Sequence, residues 1–138
     1  MLASLSPTAF GYGNPRGAPP FRRAVANWLA RNRGIRVDPA EVIVVAGVAQ
    51  ALGLLAQVLR DDGITRIATE DPSSLGARQH LWSWGIETPP APVDDDGLQV
   101  SALDAPAVLI TPAHQFPTGV VLGGGRRREL MRWRTAAW

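Results

Sequence analysis

Apolar residues recur at helical spacing in four segments of the chain. The clearest segment follows two prolines, where Phe21, Val25 and Leu29 are each four residues apart with Trp28 beside them. This spacing predicts a helix over residues 20–33, begun by the prolines and ended by Gly34. Similar patterns predict three further helices, over residues 50–59, 73–84 and 126–138. In the last helix, Leu130, Met131 and Trp133 are expected to pack inward.

Short strand-like runs alternate with these helices. The β-branched run at residues 42–45 and the apolar run at residues 107–110 are typical of buried parallel strands, and residues 66–69 predict another strand. Residues 86–93 contain three prolines, so an edge or imperfect strand is expected there, followed by a turn at residues 94–97. The alternation predicts an α/β fold with a mainly parallel sheet.

This pattern predicts that the chain has two regions. Residues 1–17 are rich in Gly, Pro and Ser and are expected to be an irregular arm, and residues 18–138 are expected to form a single α/β domain. No apolar run approaches 18 residues and no basic, apolar leader begins the sequence, so neither a membrane span nor a secretory signal is expected. A cytoplasmic location is the default expectation.

The basic residues are the most informative feature of the composition. All 14 are arginine, so the chain has no lysine, and its net charge is only +2. Such a small excess predicts little about nucleic acid. The chain has no cysteine, which excludes disulfides and thiolate metal sites. The run Gly123–Arg128 is interpreted as a loop leading into an exposed helix face, because no helix-turn-helix precedes it.

A strand–glycine–helix junction at Gly47, Val48 and Ala49 is the first candidate binding site. In open α/β sheets, ligands lie at the carboxyl ends of the strands, where helix N-termini offer free N–H groups to anions. The junction lacks both common nucleotide-binding fingerprints. Taken alone, the glycine is more often structural than functional.

Two further phrases carry polar groups at predicted strand ends. Residues 70–72 (EDP) are expected to form an acidic turn, and catalysis by Glu70 and Asp71 is not expected because adjacent side chains on a turn diverge. In residues 111–119 (TPAHQFPTG), two prolines predict a rigid turn that presents His114, Gln115 and Thr118 at the carboxyl edge of the sheet. No second histidine or cysteine lies nearby to complete a metal site.

Together these phrases, in this order, resemble the pyridoxal-phosphate domain of MocR-type regulators, an aminotransferase-like fold-type-I domain of the GntR family. The resemblance is carried by residues 12–17, 47–52, 70–78 and 111–119 and covers about residues 10–138. It implies an incomplete three-layer αβα fold. It also implies pyridoxal 5′-phosphate as cofactor, in contact with the following residues: Tyr12, Gly47, Val48, Ala49, Ser74, His114, Gln115 and Phe116.

The resemblance assigns individual roles. It places the cofactor phosphate at Gly47–Ala49, where the usual hydroxyl residue is missing. Ser74 stands where the family has a tyrosine near the cofactor ring. Phe116 stands where ordinary aminotransferases have an asparagine, which favours the regulators over the enzymes. Tyr12 matches an arm residue that reaches the partner's cofactor in related dimers.

The resemblance also implies features that this sequence does not contain. The Schiff-base lysine and the aspartate that pairs with the pyridinium nitrogen would follow residue 138, and a winged-helix DNA-binding domain would precede residue 1. The sheet order 3-2-4-5-6-7-1 would place the strand at residues 42–45 at one edge, separated from the others by absent strands. Unpaired strand edges and poor stability in isolation are therefore expected.

The leading hypothesis is a partial, non-catalytic effector domain of a MocR/GntR-type regulator. The intact protein would be a homodimer that senses a small-molecule effector or amino acid and binds DNA through a domain outside this sequence. One alternative is a fragment of an aminotransferase of class I/II that acts on an amino acid. A second is a small protein that binds a phosphate-bearing ligand noncovalently at Gly47–Ala49. A basic nucleic-acid-binding module is the least favoured.

Overall fold

The structure, a computed structural model, describes residues 11–136, with side chains as far as Arg134. The chain divides into two compact units, one ending at Val48 and the other beginning at Ala49. Most of the predicted irregular arm lies outside the described residues, as do the last two residues of the predicted C-terminal helix. No described helix is long and apolar enough to cross a membrane.

In the first unit, helix α1 (Pro19–Arg33) confirms the predicted helix. Two prolines occupy its first turn, where a missing N–H costs no hydrogen bond. Gly34 ends it in the left-handed conformation, with φ of 67°. Ala26 is buried, whereas Phe21 and Trp28 remain about half exposed.

The prediction of a strand at residues 42–45 is wrong for the described structure. The segment is not part of a sheet, and the N–H of Val44 donates instead to the carbonyl of Arg16, with an N···O distance of 2.9 Å. A β-branched run predicts extended backbone, but a strand also requires a neighbour to pair with. Within the described residues, no neighbouring strand pairs with this segment.

The second unit is built on a four-stranded sheet. Its strands are β1 (Ile67–Asp71), β2 (Pro90–Asp94), β3 (Gly97–Leu98) and β4 (Ala107–Leu109). The spatial order is β3-β2-β1-β4, and β1 pairs in parallel with both β2 and β4. Strands β2, β1 and β4 correspond to strands 3, 2 and 4 of the expected sheet. Their spatial order therefore agrees with the 3-2-4 portion of the expected order. The mainly parallel sheet is confirmed.

An edge or imperfect strand was expected at residues 86–93; β2 lies inside the sheet order, so the edge alternative is wrong. Prolines supply carbonyl acceptors here: Pro89, just before β2, accepts from the Thr69 N–H, and Pro92, within β2, accepts from the Gln99 N–H. These positions need no N–H donor of their own, which explains why proline is tolerated. The short hairpin partner β3, which follows the predicted turn, was not foreseen.

Helices cover both faces of the sheet and complete three αβα layers. Helices α2 (Val48–Asp61) and α3 (Leu75–Ser83) form one core with the sheet. The buried residues of that core are Leu52, Ala56, Ile67, Leu81 and Ile86. Because successive strand residues point to opposite faces, Ala68 belongs to a second core, with Ala91, Leu98 and Leu122. Helix α4 (Gly124–Ala136) contributes Leu130 to it.

Two burial predictions for the C-terminal half need correction. Met131 is exposed, since Leu130 is the residue of α4 that faces the second core. Strand β4 is half-buried, because it lies at the end of the described sheet order.

Gly97, at the start of β3, offers a direct test of the β2–β3 hairpin. Its φ is 94°, and a Cβ there would lie 2.9 Å from Leu122 Cδ1 and 3.1 Å from Leu122 Cα. We expect Gly97→Ala to lower the free energy of unfolding by about 2 kcal/mol, from backbone strain and crowding together. Gly63 is the matched control, because its φ is 80° and its Cβ would meet nothing within 4 Å.

Chemical denaturation measures both variants. We expect Gly63→Ala to cost about 1 kcal/mol, the strain contribution alone. Equal losses for the two variants would show that Leu122 does not press on this turn.

Candidate functional site

The polar residues of the second unit gather at one edge of the sheet. Strands β1 and β4 are parallel, with Thr69 opposite Leu109 as the last paired residues. The chain therefore leaves both strands at the same carboxyl edge, into residues 72–74 after β1 and residues 110–120 after β4. We call these two segments the edge loops. Carboxyl edges of parallel strands are where α/β proteins bind ligands.

Glu70 occupies the interior of this edge, and the prediction of an acidic turn is wrong, because Glu70 and Asp71 both lie in β1. It lies within β1 and is only 3% exposed. Its Oε2 accepts hydrogen bonds from Thr111 at two atoms, the backbone N at 2.9 Å and Oγ1 at 2.6 Å. A buried carboxylate with two donors is a structural anchor, and its side chain is not available to a substrate.

Arg78 binds the end of β1 through hydrogen bonds from its guanidinium group. From α3, its Nη2 donates to the Glu70 carbonyl at 2.8 Å and to Asp71 Oδ1 at 3.2 Å. Its Nε donates to Ser73 Oγ at 3.0 Å. This guanidinium therefore fixes both the end of β1 and the first edge loop, and it does so from a side chain that is only 17% exposed.

Gln115 is the second buried polar residue of the edge. Its Nε2 donates to the Pro72 carbonyl at 2.6 Å, and its Oε1 accepts from Thr118 N and Oγ1 at 3.2 and 2.6 Å. The residue is 3% exposed. The side chain thus joins the two edge loops to each other at the carboxyl edge of the sheet, where the sequence predicted it.

Three other residues singled out from the sequence are exposed on the edge loops. Ser74 precedes α3 as its N-cap and makes no side-chain capping bond. His114 and Phe116 flank the buried Gln115, and the Phe116 side chain is 61% exposed. The edge therefore presents a hydroxyl, an imidazole and an aromatic ring to a ligand.

The glycine junction leads directly into α2. Gly47 has φ of 156° and open space where a Cβ would be, and α2 begins at Val48. Val48 and Ala49 are exposed and carry no polar side-chain atom. Val48 and Ala49 can therefore offer an anion only their backbone N–H groups and the positive end of the helix dipole.

Tyr12 lies in the first unit and is fully exposed. The neighbouring turn is ordered by Asn14, whose carbonyl accepts from the Gly17 N–H and whose Oδ1 accepts from the Arg16 N–H. The described residues include no group of three or more histidine, aspartate or glutamate residues placed to hold a metal ion.

Two arginines of the Gly123–Arg128 run have structural partners. Arg126 Nη2 donates to Asp94 Oδ2 at 2.6 Å, and its Nη1 donates to the Leu98 carbonyl. Arg127 donates to the carbonyls of Leu122 and Pro112. These contacts account for both side chains without a nucleic-acid partner.

Comparison with known proteins gives the family. Residues 2–122 match the family model for aminotransferase class I and II. The HTH-type pyridoxine biosynthesis transcriptional regulator PdxR of Corynebacterium glutamicum is 37% identical over 84% of this chain and 26% of its own length. The probable rhizopine catabolism regulatory protein MocR of Rhizobium meliloti is 33% identical over 89% of this chain and 25% of its own length.

Solved structures give the same fold. The kynurenine aminotransferase of Pyrococcus horikoshii superposes with a TM-score of 0.82 at 23% identity, covering 99% of this chain and 36% of that one. The chain spans about a quarter of the length of the curated relatives named above. Since the family model covers most of the sequence, the chain belongs to the aminotransferase class I and II family.

Proposed function

We propose that this chain is part of the pyridoxal-phosphate-binding effector domain of a MocR-type transcriptional regulator. The observation that carries the proposal is the carboxyl edge of the sheet, where Ser74, His114 and Phe116 are each exposed on loops held by part-buried hydrogen bonds of Glu70 and Gln115. The similarity to regulators over most of the chain supports a regulatory role rather than an enzymatic one.

The residues present fit the cofactor in part. Its phosphate requires N–H donors, which the first turn of α2 offers at Val48 and Ala49. Its ring requires an apolar or aromatic surface, which Phe116 offers, and polar groups near it, which Ser74 and His114 offer. Bound pyridoxal phosphate supplies an electron sink for amino-acid chemistry. The chain has no lysine to attach it covalently, so we propose noncovalent binding and no catalysis by this chain alone.

The rest of the proposal concerns the intact regulator. It is proposed to act in the cytoplasm as a homodimer, to recognise an amino acid or another small-molecule effector, and to contact DNA through a domain outside this sequence. Tyr12, which is exposed, is proposed to serve the cofactor site of the partner subunit. The DNA on both sides of the reading frame tests this: an upstream helix-turn-helix and a downstream lysine support it, and unrelated flanks contradict it.

Cofactor binding by the chain itself is tested with pyridoxamine 5′-phosphate, which has no aldehyde and needs no lysine. Isothermal titration calorimetry compares it with pyridoxamine, the same ring without the phosphate. We expect pyridoxamine to bind at least about tenfold more weakly, because it cannot use the N–H groups at the start of α2. Equal affinities would contradict a phosphate site.

A charge variant locates the phosphate. Val48 is 73% exposed at the first position of α2, so Val48→Asp places a carboxylate beside the proposed phosphate while favouring the helix dipole. We expect this variant to weaken pyridoxamine 5′-phosphate binding about tenfold or more, without a loss of stability. The control is Arg128→Ala at the arginine-rich start of α4. Weaker binding in this control instead would move the phosphate site there.

A further inference from the structure

Two buried polar side chains join the edge loops to the sheet. Glu70 and Gln115 are each 3% exposed, and with Thr69 they are the buried polar residues of the described chain. Glu70 reaches from β1 to Thr111, and Gln115 reaches from the loop after β4 to Pro72. The first contact joins strand β1 to the loop after β4, and the second joins the two edge loops to each other. A shift of either loop would therefore break at least one hydrogen bond to a buried side chain.

The Glu70–Thr111 contact lies where the backbone pairing between β1 and β4 ends. Pairing between β1 and β4 stops at Thr69 and Leu109, and the Thr111 N–H then binds the Glu70 carboxylate. The Thr111 hydroxyl donates to the same oxygen, so a single carboxylate fixes both the backbone and the side chain of this residue. Hydrogen bonds to an ionised acceptor are about twice as strong as neutral ones. The contact thus determines where the second edge loop begins.

Gln115 determines how that loop continues. Its side-chain oxygen binds Thr118, its backbone N–H donates to the Val120 carbonyl, and its carbonyl accepts from the Gly119 N–H. With Gln115 turned inward, its neighbours His114 and Phe116 lie at the surface. The outward position of these two side chains is therefore a consequence of what Gln115 binds.

We propose that Glu70 and Gln115 are positioning residues that hold Ser74, His114 and Phe116 in the arrangement that binds the cofactor. The inference rests on the proposed function and deepens it. It assigns the buried residues of the edge an indirect role and leaves direct cofactor contact to the exposed ones. Glu70 acts through Thr111, and Gln115 acts through Pro72 and Thr118.

A pair of Thr111 variants tests the proposal. Thr111→Val removes the hydroxyl donor to Glu70 and keeps the shape, whereas Thr111→Ser keeps both donors. Hydrogen exchange is measured at the amides of Thr118 and Gly119 in the edge loop, with the Ile67 amide, which is bonded to Glu87, as a core reference. We expect Thr111→Val to speed loop exchange about tenfold without changing Ile67, and Thr111→Ser to match the original chain.

Ligand affinity is a second readout, and a change in stability alone does not alter it while the variants are folded. Pyridoxamine 5′-phosphate is titrated into each variant under conditions in which it is fully folded. We expect Thr111→Val to raise the dissociation constant about tenfold and Thr111→Ser to restore it. Glu70→Gln, which keeps the shape and removes the charge, is expected to behave like Thr111→Val.

The outcomes separate the two proposals. Unchanged affinity in Thr111→Val and Glu70→Gln, despite faster loop exchange, overturns the positioning role and leaves the proposed function intact. Unchanged loop exchange in both variants, or exchange that rises equally at Ile67, also overturns it. Failure of the original chain to bind pyridoxamine 5′-phosphate contradicts the proposed function and, with it, the role of the two residues in cofactor binding.

Discussion

Leu81→Ala is expected to lower the free energy of unfolding by about 3 kcal/mol, within the range for buried leucine truncations. Leu81 is fully buried and lies at the centre of the first core, among Leu52, Ala56, Ile67 and Ile86. Its removal leaves a cavity between α3 and the sheet. Because domains are stable by only about 5–15 kcal/mol, this single change removes a large share of the total.

The control lies on the same helix. Leu75 is 59% exposed at the start of α3, so Leu75→Ala removes the same atoms from a site that is open to water. We expect it to change stability by less than about 0.5 kcal/mol. Urea denaturation of both variants, followed by tryptophan fluorescence, gives the comparison. A loss in Leu75→Ala as large as that in Leu81→Ala would contradict the position of the core.

Leu55→Lys is expected to weaken self-association of this chain by at least about tenfold. Leu55 and Val58 are both more than half exposed on α2, although Leu52 and Ala56 of the same helix are buried. Leu55 also lines a small apolar cavity of about 100 Å³ with Leu109 of β4, the last strand of the described sheet order. Exposed apolar side chains next to an open strand edge favour association between chains.

The matched control adds the same charge without removing an apolar side chain. Gln57 is exposed on α2, so Gln57→Lys tests the effect of a lysine alone. Sedimentation velocity over a concentration series measures both variants. If Gln57→Lys reduces association as much as Leu55→Lys, the apolar surface of α2 is not its cause.

The helices were the part of the fold most open to prediction from sequence. Their beginnings and ends are set by local chemistry, such as the prolines and Gly34 that delimit α1. Strands were harder, because a strand depends on its neighbour as well as on its own residues. Residues 42–45 have a strong β-branched pattern but pair with no strand in the described part of the chain. Strand β2 has a poor pattern, but its proline carbonyls still bind Thr69 and Gln99.

The sequence predicted the location of the candidate site better than it predicted the role of each residue in it. The phrases at residues 70–78 and 111–119 pointed to the carboxyl edge, and Ser74, His114 and Phe116 are exposed there. Glu70 was placed in a turn because it precedes Asp71 and Pro72. Glu70 directly continues the run Ile67–Thr69, and this continuity was the available signal that it lies inside the sheet. Its partner Thr111 is 41 residues away, and no local pattern predicts such a contact.

The most direct test of cofactor binding is a two-dimensional amide NMR titration of this chain with pyridoxamine 5′-phosphate. The proposed site predicts saturable shifts at two segments, the first turn of α2 (residues 48–50) and the edge loop (residues 114–118), with little change along α4. Shifts confined to the start of α4, or none at millimolar ligand, would contradict the claim that the carboxyl edge of this sheet is a pyridoxal-phosphate site.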